Sequence, residues 1–182
     1  MRSNEVVADF SVKDGRRVIL RTPKWEDLDG LLELINSLVE EKAEIVVSDK
    51  VTRKEEADWL ADLLLRLEKD QAFFLVAEVD GKVVASSDLH GGKGSEAHSG
   101  TVGIVVRKGF RGLGIGTRMM RTILEVAGKR GFRVLVLSVF AINKRAIHVY
   151  EKVGFVECGR VLGKHFHRGK YVDEVIMSAS LR

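Results

Sequence analysis

One cysteine, one proline and one glutamine stand in 182 residues. A lone thiol, Cys158, cannot close an intramolecular disulfide, and it excludes a metal cluster built on several thiolates. No apolar run approaches the roughly 20 residues of a membrane span. Residues Met1 to Glu5 lack the apolar core of a signal peptide, so the expected compartment is the cytoplasm. No charge of one sign dominates: 30 Lys plus Arg against 26 Asp plus Glu leave a surplus of 30 − 26 = 4, with both signs interspersed. That scatter excludes the basic stripe of a nucleic-acid binder, while a mild surplus suits a polyanionic small ligand. Few amides with 31% charged residues is a bias found in heat-adapted proteins. No repeat, low-complexity segment or long linker interrupts the chain. With 45% apolar residues, the length suits a single domain over 1–182 with its own core.

The informative stretch runs from Val102 to Gly116 and on into residues 117–130. A β-branched run leads into a glycine-rich turn, and the turn opens an amphipathic helix. A helix start leaves backbone N–H groups without helical acceptors, and the positive end of the dipole lies there too. Gly112, Gly114 and Gly116 carry no Cβ, so an anion can approach the backbone. Arg111 adds a fork-shaped cation. The expected ligand is a phosphate, and the length of the loop suits a diphosphate. Two familiar cradles fail: a P-loop needs Lys before Ser or Thr, and Gly116-Thr117 has none. A dinucleotide fingerprint needs a third glycine where Thr117 stands.

The spacing that fits is Arg-x-x-Gly-x-Gly at Arg111, Gly114 and Gly116. Downstream, Asn143, Ala146, Tyr150, Gly154 and Phe155 make Asn-x-x-Ala-x-x-x-Tyr-x-x-x-Gly-Phe. Together these motifs resemble those of the GCN5-related N-acetyltransferase (GNAT) superfamily, specifically over about residues 72–160. The resemblance implies an α/β (α+β) fold: a mixed seven-stranded sheet, splayed between its fourth and fifth strands and flanked by four helices. It also implies acetyl-CoA as cosubstrate, an amine acceptor and no metal. Backbone groups of Ile104, Val105 and Val106 would bind the pantetheine arm. Arg111, Gly112, Leu113, Gly114, Ile115, Gly116 and Thr117 would hold the pyrophosphate. Asn143 would hydrogen-bond the pantetheine, and Tyr150 would protonate the leaving sulfur. Dimerisation through the last strands is typical of the family.

In chain order, residues 16–21 read as the first strand. Thr22-Pro23 marks a helix start, with Leu28, Leu31, Leu32, Ile35 and Leu38 at helical spacing to about Asn36 or slightly beyond. Thr52 and Glu55 form a capping box. The helix behind it should run to about Glu68 and bury Trp59, Leu60, Leu63, Leu64 and Leu67. Residues 73–79 and 82–89 flank an Asp80-Gly81 hairpin turn. A third helix carries Ile115, Met119, Ile123, Val126 and Ala127 on one face, with Gly131 to end it. A strand over 134–139, a helix over 144–153 and a strand pair over 155–162 and 171–181 complete the order.

Acetyl transfer to an amine needs a neutral nucleophile, although a lysine-like amine titrates near about 10.4. Relatives place a Glu near the position of Thr101, and a Thr hydroxyl is no base at neutral pH. Asp88, His90, Glu96 and His98 adjoin it and could act through water. The acidic patch Glu40, Glu41 and Glu44 points to a small cationic amine or an amino-acid derivative as acceptor. A protein N-terminus or lysine, or a non-catalytic acyl-CoA sensor, are the alternatives. His165 and His167 share a strand face without an evident third metal ligand. His148 should lie on the helix face away from Tyr150, and Cys158 should be a packed thiol.

Overall fold

Residues 2–181 are described by a computed structural model. The strands are β1 (Val6–Ser11), β2 (Arg17–Arg21), β3 (Phe73–Val79), β4 (Lys82–Gly91), β5 (Ser99–Val106), β6 (Val134–Phe140), β7 (Val156–His167) and β8 (Lys170–Ser180). The helices are α1 (Leu28–Glu40), α2 (Arg53–Glu68), α3 (Ile115–Lys129) and α4 (Lys144–Lys152). One sheet joins all these strands in the order β1-β2-β3-β4-β5-β6-β8-β7. Every pairing is antiparallel except β5 with β6.

The sheet buries a different helix pair on each face. Leu28, Leu31, Leu34 and Leu38 of α1 and Leu60, Leu63 and Leu67 of α2 pack on Phe74, Val76 and Val83. On the other face, Ile115, Met119, Met120 and Ile123 of α3 and Tyr150 of α4 pack on Val102, Leu135, Leu137 and Met177. Strand alternation serves both layers at once: Ile104 and Val106 turn toward α3 and Val105 toward α1 and α2.

The sheet has eight strands, against the seven expected, because β1 pairs with β2 ahead of the expected first strand. Residues 6–11 are mostly exposed or half-buried at a sheet edge, so their apolar pattern is weak. The turn signal was present: Asp14-Gly15 repeats the Asp80-Gly81 chemistry, and both Gly15 and Gly81 have positive φ. The helix start is later than Pro23. A 3-10 turn at Trp25–Asp27 comes first, and α1 outlasts Asn36 to reach Glu40. Trp59 is not buried but 42% exposed, and Leu64 is only half-buried, while the core side of α2 carries Glu56, Leu60, Leu63 and Leu67. Cys158 is exposed on β7 rather than packed.

A buried ion triad anchors the start of α1. Arg21 donates bidentately to Asp27 at 2.7 Å and again to Glu78 at 2.8 Å, and Asp27 also accepts from the Lys24 N–H. Removing one member of a buried pair strands the other charge, at a cost of about 3–5 kcal/mol. Arg21→Ala should therefore lower stability by about that amount in urea unfolding, and a loss under about 1 kcal/mol would contradict the assignment.

Candidate active site

Strand β5 pairs with β6 only through Ser99–Val134, Gly100–Leu135 and Thr101–Val136. Beyond Thr101 the two strands part, while β5 stays paired with β4 as far as Val106. One edge of the Val102–Val106 backbone is therefore open. A cleft of about 1380 Å³ occupies the gap and runs under α3 and α4 on one side and the α1–α2 segment on the other. This is the expected splay, between the fifth and sixth strands of the longer sheet.

The glycine loop lies at the end of that open edge. Gly114 is the residue before α3, with φ +98°, and no side chain caps the helix. Among the described residues the N–H groups of Ile115, Gly116 and Thr117 have no helical or side-chain acceptor, so the helix start is free to bind an anion. Gly112 also has positive φ, where a Cβ is strained. A Cβ on Gly116 would meet Ile104 and Val106 at 3.6 and 3.7 Å, an ordinary packing contact, so the packing of α3 on β5 does not itself demand a glycine there. Gly112, Gly114, Gly116, Thr117, Ile104, Val105 and Val106 all line the cleft; Leu113 and Ile115 do not, and Ile115 is fully buried in the core. Arg111 is committed elsewhere: its Nε donates to the Val106 carbonyl at 2.7 Å, and its Nη2 pairs with Glu41. It fastens the loop to the strand end. Arg118, Arg121 and Lys144 bring further positive charge to the same side.

Asn143 caps α4, its Oδ1 accepting from the Ala146 N–H at 3.1 Å. Its side chain also borders the cleft, so capping and ligand contact are compatible. Tyr150 is 6% exposed and borders the cleft. Its hydroxyl has no hydrogen-bond partner among the described residues. Burial, and then the negative charge of Asp88, push its phenol up to about 12. His148 is exposed and lines the cleft as well, although it stands two residues from Tyr150 on the helix.

Of the four groups adjoining Thr101, only Asp88 reaches the cleft. It stands opposite Gly103, where a Cβ would come within 2.8 Å of its Oδ1. His90 is paired across the ladder with Thr101, and its Nε2 lies 2.7 Å from Asp88 Oδ2. That hydrogen bond raises the His90 pKa above its usual value. Glu96 and His98 are exposed loop residues away from the cleft.

The acidic patch divides. Glu40 pairs with Lys50, Glu41 pairs with Arg111, and only Glu44 of the three borders the cleft. His165 and His167 do share a face, gathered round Phe140; His165 stacks on it at 3.8 Å. Nearby Glu174 is buried and takes Lys164 at 2.5 Å. Among the described residues no three His, Cys, Asp or Glu side chains converge on a metal position. The residue that the sequence reading missed is Glu56, which is buried, lines the cleft and has no hydrogen-bond or ion-pair partner among the described residues. Its signal was available: the spacing 56, 60, 63, 67 puts a carboxylate on the core stripe of α2.

The sequence profile of the Acetyltransferase (GNAT) family matches residues 32–155. The chain belongs to that family. This GNAT enzyme is an N-acetyltransferase that takes its acetyl group from acetyl-CoA. It is 32% identical to an uncharacterized N-acetyltransferase of Methanocaldococcus jannaschii over 76% of its own length and 60% of the relative's. It is 24% identical to the L-methionine sulfoximine/L-methionine sulfone acetyltransferase of Pseudomonas aeruginosa, over 85% of this chain and 90% of that one. Among solved structures, the ribosomal-protein-alanine N-acetyltransferase of Brucella melitensis superposes with a TM-score of 0.79 at 28% identity, covering 89% of this GNAT chain and 99% of its own.

Proposed function

We propose that this enzyme acetylates a primary amine on a small cationic acceptor by direct attack on the thioester of acetyl-CoA. The observation that carries the reading is the junction of three features at one cleft: the open β5 edge, the uncapped start of α3, and the buried Tyr150 side chain with its unpartnered hydroxyl open to the cleft. Acetyl-CoA, when bound, supplies an activated acyl group and a thiolate leaving group. Residues 111–117 hold the pyrophosphate on N–H groups at the helix start. The free backbone of Ile104 to Val106 pairs with the pantetheine arm and offers an N–H to the developing oxyanion. Asn143 orients the same arm. Asp88, with His90 behind it, accepts the proton of the incoming amine through water. Tyr150 donates its O–H to the departing sulfur.

Small acceptors are favoured over polypeptides by one contact. Arg168, in the β7–β8 turn, donates to the carbonyls of Glu41 at 3.2 Å and Lys42 at 2.8 Å. This guanidinium ties the β7–β8 turn to the end of α1, beside Ala43 and Glu44 of the cleft wall, and in this reading the tie narrows the acceptor opening, where a protein substrate needs an open groove. Methionine sulfoximine, the substrate in the Pseudomonas relative's name, carries a carboxylate. Here the cations lining the cleft come from the β1–β2 turn, the glycine loop, α3 and α4; none comes from α1, α2, β3, β4 or the segment joining α1 to α2.

The test is thiol release from acetyl-CoA against a panel of amines, amino acids and peptides. Cationic amines should turn over at least about tenfold better in kcat/KM than zwitterionic amino acids, a difference of about 1.4 kcal/mol. Preference for a peptide or amino acid would reverse the acceptor assignment. CoA binding without any turnover would favour a sensor.

A further inference from the structure

Helix α2 sets Glu56 and Trp59 on adjoining positions three residues apart. Both line the cleft, with Phe74 of β3 behind them. The Trp59 and Phe74 rings meet edge to face at 5.3 Å, which leaves the indole exposed on its cleft side. Glu56 is only 8% exposed. No cation, hydroxyl or N–H among the described residues satisfies its carboxylate. The other acids on this wall differ: Glu55 closes the capping box with Thr52, Asp88 is held by His90, and Glu44, on the segment joining α1 to α2, is half-buried and has no aromatic ring set beside it by a helix. Burial alone raises the Glu56 pKa. The carboxylate oxygens themselves stay open to the cleft, so an ammonium can reach them there, and the burial around them strengthens the pairing. An aromatic face next to the same point adds cation–π attraction.

The attacking nitrogen is the wrong occupant for such a place. It must be neutral to attack, and a desolvated carboxylate favours the charged ammonium. Glu56 is instead suited to a spectator charge on the acceptor, away from the reacting end that Asp88 and Gly103 mark on the sheet. We propose that Glu56 and Trp59 form an anchoring subsite for a second ammonium, and that the acceptors are diamines or longer polyamines acetylated at the far amine. The proposal rests on the acceptor reading above and narrows it from any cationic amine to one with two positive centres.

The experiment compares 1,4-diaminobutane with n-butylamine, which presents one amine and no second charge. The wild-type enzyme should prefer the diamine by at least about tenfold in kcat/KM, with the difference in KM, as expected for one charge-assisted contact. In Glu56→Gln, which keeps the shape and removes the charge, the diamine preference should fall to within about twofold of unity. Trp59→Leu should reduce it partway. A wild type that shows no preference overturns the subsite. So does an equal loss of kcat on both amines in Glu56→Gln, because that marks Glu56 as a base or as a structural residue. A second readout needs no turnover: calorimetry of the permethylated diamine, a dication that cannot be acetylated, on the CoA-loaded enzyme. Its binding should weaken at least about tenfold in Glu56→Gln; unchanged affinity overturns the subsite. If no amine is acetylated but the dication binds through Glu56, the subsite stands and the acetyl-transfer reading falls.

Discussion

Tyr150→Phe should lower the single-turnover rate by about 10²–10³-fold, the range for removing one aimed hydrogen-bond donor. CoA affinity should barely change, since the proposed phosphate cradle lies at the start of α3. The Phe ring keeps the packing against Phe155, whose centroid is 6.1 Å away. The size of the effect follows from the environment of the phenol. With its pKa pushed up to about 12, full transfer of the proton to a thiolate of parent pKa about 8.5 is uphill by roughly 5 kcal/mol. In the proposed role Tyr150 therefore works mainly by holding its O–H on the sulfur while charge develops there. The same shift fixes a pH signature. The neutral phenol is favoured in the folded enzyme, so its contribution to stability is complete below about pH 10 and lost as pH rises through about 12. The pH–rate profile should show no alkaline limb from Tyr150 below about pH 11. Absorbance titration should show Tyr150 ionising late, near about 12. A single-turnover rate in Tyr150→Phe within about threefold of wild type would assign the stabilisation of sulfur to another group.

Gly114→Val should weaken CoA binding by at least about 10²-fold, roughly 2.7 kcal/mol. A Cβ at Gly114 meets no protein atom within 4 Å, so the site of damage is the space before the helix start. The left-handed backbone adds a strain of about 1–2 kcal/mol. Gly131→Val separates the two effects. Gly131 has φ +86° and equally empty surroundings, but it lies after α3 and off the cleft. The two variants should lose comparable stability by thermal melting, and only the one at Gly114 should lose affinity. Equal CoA affinity by calorimetry in both would detach the pyrophosphate from this loop.

The backbone of the glycine loop was legible in the sequence because its demands are local. Positive φ at Gly112 and Gly114, the helix start behind them and the Asn143 cap each need only neighbours in the chain. The capping box at Thr52 and Glu55 was legible for the same reason. Edge strand β1 was harder, since one side of an edge strand faces water and its residues need not be apolar. Trp59 misled because exposure is a tertiary property: a large ring on an amphipathic helix reads as core, whereas here it faces a cleft. Arg111 and Glu41, seventy residues apart, have no sequence signature as a pair. Glu56 was hidden by the opposite assumption, that a glutamate on a helix faces solvent.

The loop between α1 and α2 is fastened at several points. Asn36 bonds both backbone groups of Val51 at 2.9 Å, Arg168 takes the carbonyls of Glu41 and Lys42, and the Glu41 carboxylate takes Arg111. A single side chain thus belongs both to the wall on the acceptor side and to the network behind the glycine loop. Any anion that draws on Arg111 competes with Glu41, and the wall loses one of its ties. The affinities of the two substrates are then linked by one shared free energy, equal in both directions.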